Sequence, residues 1–283
     1  MASEKDITLL RQGFKVWNSW RQCHPKFIPE FKGADLTGLK LFKVDLNGAD
    51  LREVDFSGTS LYQANLTGAN LYRANLSTAI LQEANLSKAS LIEANLKGKK
   101  FPQTNLSEAD LSRANLSRVK FYRSTNLGNT NFSWTNLYRA DLSGLDLKGN
   151  NFTGANLCKA NLKATNLKAV NLCGANLSEA NLEYTNLRKA QIQEAIIDEK
   201  WYLVWEIVNN GAEGRDLHGL DLSGADLKGA NLSKADLREV NFTETKLNGA
   251  DFTKSNLAKA NLSKAYINMA TLKMANLRAA NLC

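Results

Sequence analysis

The sequence predicts an all-β solenoid that turns a corner every five residues. Three observations lead there. A Leu, Phe or Ile recurs at every fifth residue from Phe31 to Phe121, from Leu127 to Ile197 and from Leu217 to Leu282, with no polar residue in that slot. The residue two before each centre is small, most often Ala, as at Ala64, Ala69 and Ala74. Most of the 18 Gly stand two after a centre, and Asn or Asp stands just before it, as at Asn65, Asn70 and Asn75. An α-helix advances about 100° per residue and would scatter such centres around its circumference. A strand alternates faces every second residue and would flip them from core to solvent at each step. Only a backbone that bends at every pentapeptide points all the centres at one axis. The Ala is small enough to share that interior. The Gly slot suits a turn with positive φ, and the Asn or Asp side chain can hydrogen-bond the corner backbone.

The pattern A-[DN]-L-x-x, which covers most of the chain, resembles the pentapeptide-repeat protein family and points to a cyanobacterial member. The resemblance implies a right-handed quadrilateral β-helix, the repeated five-residue fold, with four pentapeptides per coil. Two spacings agree with four. Phe101 and Phe121, like Phe132 and Phe152, lie 20 residues apart, so bulky centres would stack in columns. Ile197 and Leu217 are also 20 apart, so the irregular stretch between them replaces one coil in phase. About 12 coils at ~4.8 Å each make a tower roughly 58 Å long, closed by aliphatic layers along its axis.

Residues 1–30 read as an N-terminal helical cap. Ser3 before Glu4 and Asp6 is a helix start, with Asp6 in the capping-box position. Ile7, Leu10, Phe14 and Trp17 follow helical spacing, and Pro25 and Pro29 stop the helix. The stretch VWNSWRQCHPKF is similar to leaders that precede the repeats in bacterial family members, and it would cover the open strand edge of the first coil. Residues 31–197 form the first run of the β-helix. Between Phe121 and Leu127 the step is six, so one residue near Arg123–Thr125 loops out as a bulge, read as a tolerated insertion.

Residues 198–216 are the helix/loop interruption. Asp198 is the expected N-cap, Trp201, Val204, Trp205 and Val208 share a helical face, and Asn210-Gly211 stops the helix. Similar W-x-L-V-W-E-I-V-N linkers occur in the family. Two readings stand: Trp201 and Trp205 plug the gap of a missing coil, or Tyr202 and Trp205 anchor a partner. Residues 217–283 continue the β-helix. Their last coil lacks a cap and leaves Leu277, Leu282 and a strand edge open, so a homodimer through that end is the expectation.

Composition bounds the function. The chain has 283 residues, 43% of them hydrophobic and 23% charged, with net charge +8. That balance favours anionic partners. Cys23, Cys158, Cys173 and Cys283 fit neither a metal motif nor a disulfide scaffold, so they read as reduced thiols of a cytoplasmic protein. The start MASEKDITLL is not a signal peptide, and no apolar run reaches the ~18 residues of a membrane span. His24 and His218 lack partners at ligand spacing, and no nucleophile elbow, phosphate loop or dinucleotide fingerprint occurs. No enzyme, metal or cofactor is expected. Lys148, Lys168 and Arg188 share one outward slot on successive coils, Lys228 continues the column past the interruption and Lys189 flanks it. This stripe is either a solvated face or a docking site for an acidic protein, with nucleic acid and a membrane surface as the other anionic partners. Tyr72, Trp134 and Tyr138 point outward but do not interleave with the stripe as a stacking platform would. Some family members bind DNA gyrase by imitating duplex DNA; a net charge of +8 has the wrong sign for that. The sequence therefore reads as a non-enzymatic protein-interaction scaffold presenting a rigid rod.

Overall fold

Most corners of the solenoid are turns closed from the small residue back to the preceding centre. The Ala64 amide donates to the Leu61 carbonyl at 3.0 Å and Ala74 to Leu71 at 3.0 Å. The residue before the small one is almost always left-handed, whether or not it is Gly: φ is 66° at Gly48, 61° at Glu53 and 57° at Arg73. Gly is thus a preference of this slot, and the ladders around it hold other residues in the less favoured region. In the computed structural model, which describes residues 4–283, these corners wind into a four-walled parallel β-solenoid. Residues twenty apart are bridged. Glu30, Asp50 and Asn70 begin the first wall; Asp35, Asp55 and Asn75 the second; Lys40, Ser60 and Ile80 the third; Asp45, Asn65 and Asn85 the fourth.

The Asn/Asp slot does two jobs. Its side-chain oxygen accepts the amide two residues on, as from Thr67 to Asn65 at 3.2 Å. Its amide group donates to the same slot one coil back, as from Asn75 to Asp55, Asn95 to Asn75 and Asn161 to Asp141. The centres are buried. Phe101 stacks on Phe121 at 5.1 Å and Phe132 on Phe152 at 4.7 Å, forming the columns that a 20-residue coil implies. Where Thr replaces the buried Ala, its hydroxyl finds a carbonyl, as Thr165 does at Leu142, so among the described residues no buried hydroxyl is stranded.

The N-terminal segment is two helices, not one: α1 (Glu4–Arg11) and α2 (Phe14–Cys23). Gly13, at φ 102°, breaks them and puts Phe14 and Trp17 on the second. The Ser3 start lies outside the described residues. Helix α2 covers the first coil with polar groups as well as apolar ones. The Trp17 indole donates to the Asp45 carbonyl at 2.7 Å, Asn18 donates to Lys43 and accepts from the Asp45 amide, and Arg21 reaches the Asn47 carbonyl.

The ladder is interrupted at three places. At the six-residue step the bridge between Asn126 and Asp146 is missing, and Thr125 turns inward to the Phe101 carbonyl. Between Ile80 and Lys100 a bridge is missing without any insertion. The third place is α3 (Glu199–Asn210), which stands where pentapeptides of the third and fourth walls would lie. Asp198 occupies the N-cap position, but its carboxylate accepts the Glu179 amide instead of capping α3. The buried seam of α3 is Trp201, Val204 and Ile207. Trp205 and Val208 are only half-buried, because a helix crossing a flat coil end buries a narrower stripe than i, i+3, i+4, i+7 supposes.

Candidate functional site

The axis is filled by one continuous apolar core, and most of the polar and charged side chains lie on the outer slots. Among the described residues no group of three His, Cys, Asp or Glu could hold a metal ion. His24 stacks on Trp20 at 4.3 Å, and His218 lies 3.8 Å from Glu239.

The four members of the basic stripe share a column on the fourth wall. Each donates its amide to the acid or amide two residues back: Lys148 to Asp146, Lys168 to Asn166, Arg188 to Asn186 and Lys228 to Asp226. Their side chains differ. Lys148, Lys168 and Lys228 are exposed. Arg188 is half-buried and folds across the interruption to Asp226 at 3.3 Å, a carboxylate that also faces Lys246 at 3.8 Å. Lys189 is exposed, and its amide donates to the Asn209 side chain of α3. The two aromatic candidates on α3 also part. Tyr202 is exposed, whereas the Trp205 indole turns in to the Ala190 carbonyl at 2.8 Å.

Arg188 belongs to a staple between the two runs of coils that the sequence does not advertise, because its members lie 38 to 60 residues apart. The Tyr184 amide donates to the Gly224 carbonyl at 2.6 Å, and its hydroxyl donates to Glu244. Lys163 and Lys246 each stand 5.3 Å from the Tyr184 ring centre. The phenol is pushed up to about 12, first by the bond to Glu244, then by burial. A folded-state pKa above the ordinary 10 means that this contribution to stability is present below pH 10 and is lost as pH rises through 12. Urea unfolding between pH 9 and 11.5 is expected to fall more steeply for the native chain than for Tyr184→Phe. Parallel curves would show that the staple holds nothing.

Some cations along the tower pair with an acid one coil away. Arg73 meets Glu93 at 2.7 Å, Lys163 meets Glu183 at 2.6 Å, Lys234 meets Glu213 at 2.7 Å and Lys259 meets Glu239 at 3.0 Å. Residues 97–163 carry most of the excess positive charge. They hold eleven Lys and Arg against four Asp and Glu, an excess of seven out of the net charge of +8. Lys97, Arg118 and Arg139 on the second wall face the corner shared with Lys100 and Lys120 on the third. Reading one slot at a time misses this grouping, because it mixes three slots of the repeat; a running charge count finds it.

Comparison with known proteins agrees with the geometry. The family model described as pentapeptide repeats matches in eight copies, over residues 30–68, 59–98, 89–125, 125–163, 160–197, 213–244 and 245–282. Among solved structures the chain is similar to HetL, a pentapeptide repeat protein involved in heterocyst differentiation regulation from the cyanobacterium Nostoc sp. strain PCC 7120. The identity is 29%, over 93% of this chain and 94% of that one, with a TM-score of 0.52. A pentapeptide repeat protein from the Arabidopsis thaliana thylakoid lumen is 28% identical over 42% of this chain and 68% of its own, with a TM-score of 0.28. QnrB1, a plasmid-mediated fluoroquinolone resistance protein, is 19% identical over 62% and 87%, with a TM-score of 0.27. The comparison with curated proteins gave no match.

Proposed function

Because the chain belongs to the pentapeptide-repeat family of right-handed quadrilateral β-helices, we propose that it works as a non-enzymatic scaffold in the cytoplasm, holding a protein partner against its outer walls. The observation that carries this reading is the filled axis. Centres such as Leu142, Leu162 and Leu182 are buried in one continuous core, so the outer slots, held one coil apart at ~4.8 Å, are what the tower presents. Likeness to HetL along almost the whole of both chains supports it, since that protein is described as involved in heterocyst differentiation regulation. The net charge of +8 opposes imitation of DNA.

The reading includes a homodimer. In the last coil Ile267, Leu272 and Leu277 are only half-buried and Leu282 is exposed, a surface on which a second copy can stack. Affinity capture from the native host with the immobilised chain tests the scaffold. One protein is expected to be retained in fixed ratio and to reconstitute with the purified chain. An extract from which nothing is retained in fixed ratio counts against it. Sedimentation over a range of concentrations measures the self-association separately.

A further inference from the structure

We propose that the corner between the second and third walls, at residues 97–139, docks an acidic, strand-like segment of a partner protein; this rests on the scaffold reading above. Lys97 and Lys100 stand on one coil, Arg118 and Lys120 on the next and Arg139 on the third, so five exposed cations lie within about 10 Å along the axis. Only Lys120 has an acid, Asp141 at 3.4 Å. Among the described residues, Lys97, Lys100, Arg118 and Arg139 make no ion pair, whereas Arg73, Lys163 and Lys259 each meet an acid one coil away. Like charges on neighbouring strands repel. Here Asp141 offsets the repulsion only at Lys120, and an external acid would offset the rest.

The backbone is open at the same place. Lys99 sits in the slot that Ala fills elsewhere, and its ammonium takes the Ala79 carbonyl at 2.6 Å. That carbonyl is the ladder acceptor the Lys100 amide would use, as the Lys120 amide uses the carbonyl of Lys99. No bridge therefore joins Ile80 to Lys100, and neither the Leu81 nor the Lys100 amide has its usual ladder bond. A cleft of about 310 Å³ opens there, lined by Ile80, Gln82, Lys99, Lys100 and Pro102. Ile80 is 52% exposed. Free backbone donors, an exposed branched side chain and a row of cations together fit an extended peptide that pairs through its main chain, inserts one apolar residue and lays carboxylates on the corner.

Nucleic acid fits less well. Ten ångströms spans few phosphates, and each tyrosine at the corner already lies against a cation, Tyr122 under Lys120 at 5.4 Å and Tyr138 under Arg139 at 5.2 Å. A membrane is a flat partner for a convex edge with one exposed aliphatic side chain.

Fluorescence anisotropy of the full chain with a labelled octapeptide, Glu-Glu-Leu-Glu-Ile-Asp-Glu-Leu, tests the proposal. Binding is expected to weaken at least tenfold in K97E/K100E/R118E and less than twofold in K43E/K254E/K273E, which removes the same charge from elsewhere. K99A is expected to free the Ala79 carbonyl, close the ladder, raise the melting temperature and weaken binding several-fold. Circular dichroism melts accompany each variant, and K97Q/K100Q/R118Q replaces the first should it unfold. The proposal is overturned by no peptide binding at millimolar concentration, by equal loss in the two triple variants, or by K99A binding as tightly as the native chain. Tighter binding of a single-stranded DNA 20-mer or of phosphatidylserine vesicles at the same corner also overturns it. A native chain that captures a host protein but ignores the peptide removes this proposal and leaves the scaffold standing.

Discussion

Leu142→Asp unfolds the middle of the tower. Leu142 is wholly buried among the aliphatic centres of the core. An ionised carboxylate there would lose its water without gaining a partner, at a cost of several kcal/mol. A solenoid has only nearest-neighbour contacts to spread such a loss, so the coils on either side lose their packing with it. Leu142→Ala, which leaves only a cavity, is expected to cost about 2–5 kcal/mol. The ordered outcome is native, then Ala, then Asp in melting temperature, with new proteolytic cleavage near residue 142 in the Asp variant. An Asp variant that melts with the native chain would contradict a dry, layered axis.

Trp201→Ala separates the two runs of coils. Trp201 is 8% exposed and closes the seam with Val204 and Ile207, where the wall ladders do not run through. Losing a buried indole costs about 3–5 kcal/mol. Trp205→Ala is expected to cost less, because the ring is half-buried, but it strands the Ala190 carbonyl that its N–H now serves. Tyr202→Ala, at an exposed site, should leave stability almost unchanged. Urea unfolding of the three variants would show the order Trp201, Trp205, Tyr202. The docking-knob reading of Tyr202 and Trp205 predicts otherwise: Trp205→Ala would keep its stability and lose its captured partner.

The legible and illegible parts of this chain divide along one line. The five-residue spacing of Leu36, Leu41 and Leu46 is a local property, and no backbone except one that turns at every pentapeptide can bury all three. The coil of twenty came from the resemblance, supported by Phe101 and Phe121, and the ring stack between them bears it out. Helix α3 is visible in the spacing of Trp201 and Val204, but the burial of Ile207 is not, because the width of a buried stripe depends on the shape of what it packs against. The bend at Gly13 was missed for a related reason. The apolar spacing runs through it, and only the outline of the first coil explains why Phe14 belongs to a separate helix.

The candidate surfaces show the limit more sharply. The column of Lys148, Lys168, Arg188 and Lys228 follows from counting by twenty. Whether its members are free does not, because Asp226, which holds Arg188, reaches it across an inserted helix. Lys99 reads as one lapse in the Ala slot; that it takes the carbonyl of Ala79 and opens the ladder is a matter of distances. By itself the sequence determined the repeat, the corner and the buried axis, since short-range sterics and apolar burial dictate them within each pentapeptide. Only the tertiary structure decided which outer charges are spent on internal pairs and which stay available, because that choice is made between side chains twenty to sixty residues apart that meet when the coils stack.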